Sequence, residues 1–94
     1  MKVFYTQKAQ RALEHIVNFI ESKNTLGSGK RFALKFESII NKYALENVEY
    51  AKYNDVILAE LGYSCITIQK WVVAFKIKQN KFIVYRIIWG GLLK

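Results

Sequence analysis

In 94 residues the chain has one cysteine, one histidine, one methionine and no proline. With Cys65 alone, no internal disulfide and no cysteine-built metal cluster can form. His15 alone means that any Ser-His-Asp arrangement or histidine-rich metal site has to use it. It stands beside Glu14, off the apolar stripe of a helix, which is the position of a surface histidine. Without proline, no strand is forced to an edge or interrupted. Acids are scarce: seven Asp and Glu face fifteen Lys and Arg, and none of them follows Glu60. No apolar run is long enough to span a bilayer, and Met1-Lys2-Val3-Phe4-Tyr5 passes directly into polar Thr6-Gln7-Lys8, unlike a signal peptide. The expectation is a cytoplasmic protein with no membrane contact.

What is present is an apolar, basic chain. With 52% hydrophobic and 15% aromatic residues, it does not have the composition of a disordered chain. Its length suits one domain, residues 1–94, with one core packed on one sheet. The net charge of +8 favours anionic partners: nucleic acid, an acidic protein segment or an anionic surface. Six of those positive charges fall in residues 63–94, where Lys70, Lys76, Lys78, Lys81, Arg86 and Lys94 meet no acid.

That last third organises the chain. Trp71-Val72-Val73-Ala74-Phe75-Lys76-Ile77 and Phe82-Ile83-Val84-Tyr85-Arg86-Ile87-Ile88-Trp89 flank polar Lys78-Gln79-Asn80-Lys81, a hairpin signal. A third run, 64–69, stands upstream and places Ile66 and Ile68 toward a core. Strict alternation puts Trp71, Val73, Phe75 and Ile77 on one side, and Val72, Ala74, Lys76 and Lys78 on the other. The same rule sets Phe82, Val84, Arg86 and Ile88 against Ile83, Tyr85, Ile87 and Trp89, leaving neither face of that strand plainly wet. Such a strand is central in its sheet or reserves a face for a partner.

Upstream, residues 2–5 form a short strand, and Thr6 caps a helix beginning at Gln7. Ala9, Leu13, Ile16, Val17 and Ile20 recur at helical spacing to about Lys23, with Ala12 and Phe19 at the edges. Residues 24–29, with two glycines, make a turn, and Thr25 or Ser28 caps the next helix. That helix covers 30–43, with Phe32, Phe36, Ile39, Ile40 and Tyr43 on one face. Residues 44–61 are polar at first; 56–61 reads as a strand or a short helix, the latter favoured by Asn54 or Asp55 before it and Gly62 after it. Four acids here, Glu46, Glu49, Asp55 and Glu60, are placed to neutralise the basic sheet. The expected fold is α+β: two antiparallel helices packed on a mostly antiparallel four-stranded sheet, the first strand pairing beside or with the last.

This order resembles the ParE/RelE family of toxins from bacterial type II toxin–antitoxin systems. The matching parts are the strand Val3-Phe4-Tyr5-Thr6, the helix pattern Ala9…Leu13…Ile16…Phe19-Ile20, and a second helix with Arg31-Phe32…Phe36…Ile39. The closing pattern is Tyr63-x-Cys65, then Lys70 to Lys76, then Phe82 to Gly90. The resemblance covers nearly the whole chain. It implies growth inhibition, either by binding DNA gyrase, as ParE-like toxins do, or by cutting messenger RNA on the ribosome, as RelE-like toxins do. It also implies a cognate antitoxin protein as partner, no cofactor and no metal, and assembly as a homodimer or as a heterotetramer with the antitoxin.

The chain departs from the RelE-like pattern at its chemistry. Cys65 stands where the family has an arginine, and Trp89-Gly90-Gly91-Leu92 replaces a stretch ending in arginines. RNA cleavage by its own 2′-hydroxyl needs a proton acceptor, a proton donor and cations on the phosphate, and Cys65 reads as a quiet buried thiol. No catalytic residue is therefore assigned. The partner- or phosphate-binding candidates are Lys70, Lys76, Lys78, Arg86 and Trp89. Arg86 lies mid-strand, where an unpaired buried charge is costly, so it pairs with a linker acid, meets a partner or reaches solvent. The reading that results is a ParE-like toxin acting by binding. A ribosome-dependent endoribonuclease and an inactivated family member serving as a binding module are the alternatives.

Overall fold

A computed structural model describes residues 2–46 and 62–90 of the chain. Its elements are β1 (Lys2–Tyr5), α1 (Gln7–Lys23), α2 (Ser28–Glu46), β2 (Ser64–Ile68), β3 (Trp71–Lys78) and β4 (Lys81–Trp89). The turn expected at 56–61, the side chains of the linker acids and the Leu92-Leu93 tail lie outside the described residues. The strand order is β1-β4-β3-β2, with β1 parallel to β4 and the other pairs antiparallel. This is the expected α+β class, with two helices on a mostly antiparallel four-stranded sheet. β4 is central, as its two-sided apolar sequence suggests.

Thr6 joins the first strand to the first helix. Its hydroxyl oxygen accepts the Ala9 N–H at 3.1 Å, which caps α1. The same hydroxyl donates to the Tyr85 carbonyl at 3.1 Å, and the Thr6 N–H donates to the Val84 carbonyl at 3.0 Å. The cap therefore also pins the helix to β4. Ala9, Leu13 and Ile16 of α1 are buried, while Phe19 is 58% exposed and stands outside the stripe.

α2 begins two residues before the expected Lys30, and neither Thr25 nor Ser28 caps it. The cap is Glu21, one helix upstream. Its carboxylate accepts the Gly27 N–H at 2.8 Å and the Gly29 N–H at 2.9 Å. Those two bonds, and then the nearby Arg31 charge, hold Glu21 below the usual carboxylate range. The Ser28 hydroxyl instead donates to the Ile20 carbonyl at 3.2 Å, and Thr25 accepts from Arg31. The helix also runs past Tyr43 to Glu46, which brings Ala44 into the core.

Phe32, Phe36, Ile40 and Ala44 of α2 meet Ile66, Ile68, Val73, Phe75, Phe82, Val84 and Ile87 of the sheet. Phe75 and Phe82 stack with ring centroids 4.3 Å apart. The last strand departs from strict alternation. Phe75 pairs with Val84, yet Ala74 pairs with Arg86, so Tyr85 is an extra residue in β4. This bulge reverses the alternation. Phe82 and Val84 face the helices before it, and Ile87 does so after it. Arg86 and Ile88, expected beside Phe82 and Val84, thus turn to the other face. Burial on the core side of both halves explains why β4 reads as apolar throughout.

Two predictions follow from the helix junction. A Cβ at Gly29 falls 2.6 Å from the Val17 carbonyl oxygen and 3.1 Å from Glu21 Cβ. Gly29→Ala is therefore expected to cost about 1–3 kcal/mol in chemical denaturation, because backbone must give way. Glu21→Gln is expected to lower the melting temperature at pH 7. A depressed carboxylate pKa stabilises the fold above its unfolded value and is lost as pH falls through the folded one. The gap between wild type and variant should then close below about pH 4. Melting curves from pH 7 to pH 3 check this; a gap that stays constant would remove Glu21 from the cap.

Candidate binding face

The outer face of the sheet, opposite the helices, is built by register. The two-residue turn Gln69-Lys70 pairs Ile68 with Trp71 and Ser64 with Phe75. Continuing that register sets Tyr63 beside Lys76. A second two-residue turn, Gln79-Asn80, has φ of 50° and 61°, the doubly positive pattern that matches the strand twist. It pairs Lys78 with Lys81 and Lys76 with Ile83. The bulge then carries Tyr85 to Lys76.

Lys76 is the centre of the resulting cluster. Its Nζ lies 4.6 Å from the Tyr63 ring centroid and 5.5 Å from that of Tyr85. The two rings meet edge to face at 5.4 Å. An ammonium against two ring faces is held by their quadrupoles and loses part of its freedom to swing. Arg86 is solvent-exposed in the same strand, paired in register with Ala74. The burial cost anticipated for a mid-strand arginine is not incurred, because the bulge turns it outward. Lys81 extends this character to the sheet edge, with Nζ 5.4 Å from the Phe4 ring.

The five sequence candidates do not form one group. Lys76 and Arg86 share the middle of the outer face, and exposed Lys78 sits at the β3–β4 turn. Lys70 and Trp89 belong to the opposite end of the sheet. Lys70 stands six residues from Lys76, roughly 20 Å along an extended strand. There the Trp71 and Trp89 rings meet edge to face at 5.2 Å, with Lys70 Nζ 6.0 Å from the Trp89 ring. The Gly90 N–H donates to the Lys70 carbonyl at 2.8 Å and closes this end. Tyr63, Tyr85 and Phe4 were not among the candidates. The signal for Tyr63 was available, since a two-residue turn at 69–70 fixes its place opposite Lys76.

The chemistry of this face is cationic and aromatic. No Asp, Glu or His occurs in any of the four strands. Cys65, expected as a quiet buried thiol, is half-buried. Tyr5 faces the helices, and burial, with Glu37 adding to it, pushes its hydroxyl up to about 12. It stays protonated at neutral pH. Among the described residues no three His, Cys, Asp or Glu side chains gather as a metal set, and no helix is long and apolar enough to cross a membrane. The outer face is suited to hold planar or anionic groups, by ring contact and by Lys76 and Arg86.

Arg86→Ala is expected to change stability by no more than about 0.5 kcal/mol, as an exposed side chain should. Phe82→Ala, in the stacked core pair, should cost about 3–5 kcal/mol. Thermal unfolding of the two variants separates the cases; a large loss in Arg86→Ala would give this residue a structural pair instead. No protein-family model matches this chain, and no curated protein matches it.

Proposed function

We propose that this chain is the toxin of a toxin–antitoxin pair, ParE-like in acting by binding an intracellular target such as DNA gyrase. The observation that carries the reading is the outer sheet face, where Lys76 is bracketed by Tyr63 and Tyr85 and Arg86 is exposed nearby. Aromatic rings and arginine are the side chains that anchor protein interfaces. A one-signed positive face draws an acidic partner and excludes basic ones. An antitoxin segment rich in acids suits the same surface.

Binding is preferred over RNA cleavage on chemical grounds. Cleavage needs a group that takes a proton near neutral pH. The four strands supply Lys, Arg, Tyr and Cys, and no His or carboxylate. The cations suit a phosphate, but among the described residues of this face there is no such proton acceptor.

Induction of the chain alone in a growing bacterium, with amino-acid and thymidine incorporation followed side by side, tests the proposal. Thymidine incorporation is expected to fall first, and Lys76→Ala with Arg86→Ala is expected to relieve the block at equal soluble protein. Amino-acid incorporation falling first would overturn binding in favour of RNA cleavage. Unchanged incorporation of both would overturn the toxin reading.

A further inference from the structure

On the helix side of the molecule, away from the outer face, the α1–α2 turn approaches the β2–β3 turn. Between them is a concave site of about 460 Å³ lined by Ile20, Asn24, Thr25, Ser28, Arg31, Phe32, Lys35 and Gln69. The volume falls in the range of small-molecule sites. Two of the lining residues are cations and none is an acid. Arg31 and Lys35 are one helical turn apart on α2, so they stand on one face. Both are exposed.

The hydrogen-bond inventory leaves donors in surplus. The Arg31 guanidinium is held in place by donating to Thr25 Oγ1 at 3.1 Å and to the Leu26 carbonyl at 3.5 Å. A guanidinium has five N–H groups, so most remain for a ligand. With its oxygen accepting from Arg31, the Thr25 hydroxyl keeps its own proton to donate. Lys35 adds three N–H groups and the Gln69 amide adds two. Asn24 and Ser28 spend donors on the Ile20 carbonyl at 2.9 and 3.2 Å. Glu21, in the turn before Asn24, directs both carboxylate oxygens to the Gly27 and Gly29 N–H groups. Ile20 and buried Phe32 provide apolar surface beneath the polar rim.

Gln69 reaches the site from the two-residue β2–β3 turn. Its φ is 56°, in the left-handed region that a residue with a side chain seldom adopts. Glycine would meet that backbone demand at lower cost, yet the position carries an amide and lines the site.

We propose that this site binds a small phosphorylated molecule, with the phosphoryl group between Arg31 and Lys35 and the Thr25 hydroxyl and Gln69 amide completing its contacts. A phosphate monoester has three acceptor oxygens and close to two negative charges. That matches clustered donors and two cations better than a carboxylate does. The body of the ligand covers Ile20 and Phe32.

The test is titration of the full chain with inorganic phosphate and with adenosine monophosphate, followed by backbone amide NMR at constant ionic strength, with acetate as the control anion. Saturable shifts confined to residues 20–35 and 69 are expected, tighter for the monophosphate than for phosphate and absent with acetate. Arg31→Gln with Lys35→Gln should weaken binding at least about tenfold, the scale of one lost charge-assisted bond. Gln69→Gly should weaken it severalfold while leaving the fold intact, since it relieves the left-handed backbone. Equal response to acetate, shifts spread over the lysines of the sheet, or unchanged affinity in the folded Gln69→Gly and double variants would each overturn the proposal. None of these outcomes depends on growth inhibition, so the outer-face reading stands or falls separately.

Discussion

Tyr85 stands between two registers, and the sheet depends on that extra residue. Before it, β4 offers Phe82 and Val84 to the helices; after it, Ile87 takes over. Without the insertion, Arg86 and Ile88 would continue the buried row and Ile87 would face outward. The free energy at stake is large, because one uncompensated charge in a core costs several kcal/mol. The bulge is also fastened from outside the sheet. The Thr6 hydroxyl bonds the Tyr85 carbonyl while capping α1, so a shift of the bulge would disturb the first helix as well. One side-chain oxygen thereby couples the entry of a helix to the facing of a strand.

The helices were legible because their apolar residues recur at a helical period over several turns. Thr6 as the cap and Lys23 as the end of α1 follow from local rules. Glu21 did not, because capping rules search the residues beside the helix start, and this carboxylate comes from the preceding helix. The bulge was illegible for a different reason. An insertion leaves apolar side chains at both parities, so 81–89 looks like a strand buried on two faces. The sequence has no mark for which residue is extra; only pairing with β3 reveals it.

For the binding face, single residues were easier to see than their grouping. Lys76 and Arg86 stood out as cations within apolar strands, but one parity rule assigned Arg86 to the wrong side. Lys70 and Trp89 share with them the acid-free last third of the sequence. The fold separates them by the length of a strand. Tyr63 and Tyr85 were overlooked because ring contacts around a lysine arise from register and bulge together. A search for aromatic residues flanking the mirror position of each strand lysine would have found Tyr63 through the two-residue turn.

The parallel pairing of β1 with β4 has a consequence for how the chain acquires its shape. Lys2 lies beside Lys81 and Tyr5 beside Val84, and the Thr6–Tyr85 bond spans 79 residues. The central strand is thus the last to be synthesised of those that surround the core. α1 and α2 can pair early, yet the apolar side they share has at most the β2–β3 hairpin to rest on until residues 81–89 emerge. Contacts this distant in sequence slow folding, since the loop must close before the contacts reward it. During translation the nascent chain therefore carries an incompletely covered helical pair from the end of α2 until β4 is made. Its competence for any partner that reads the finished sheet switches on in a single late step.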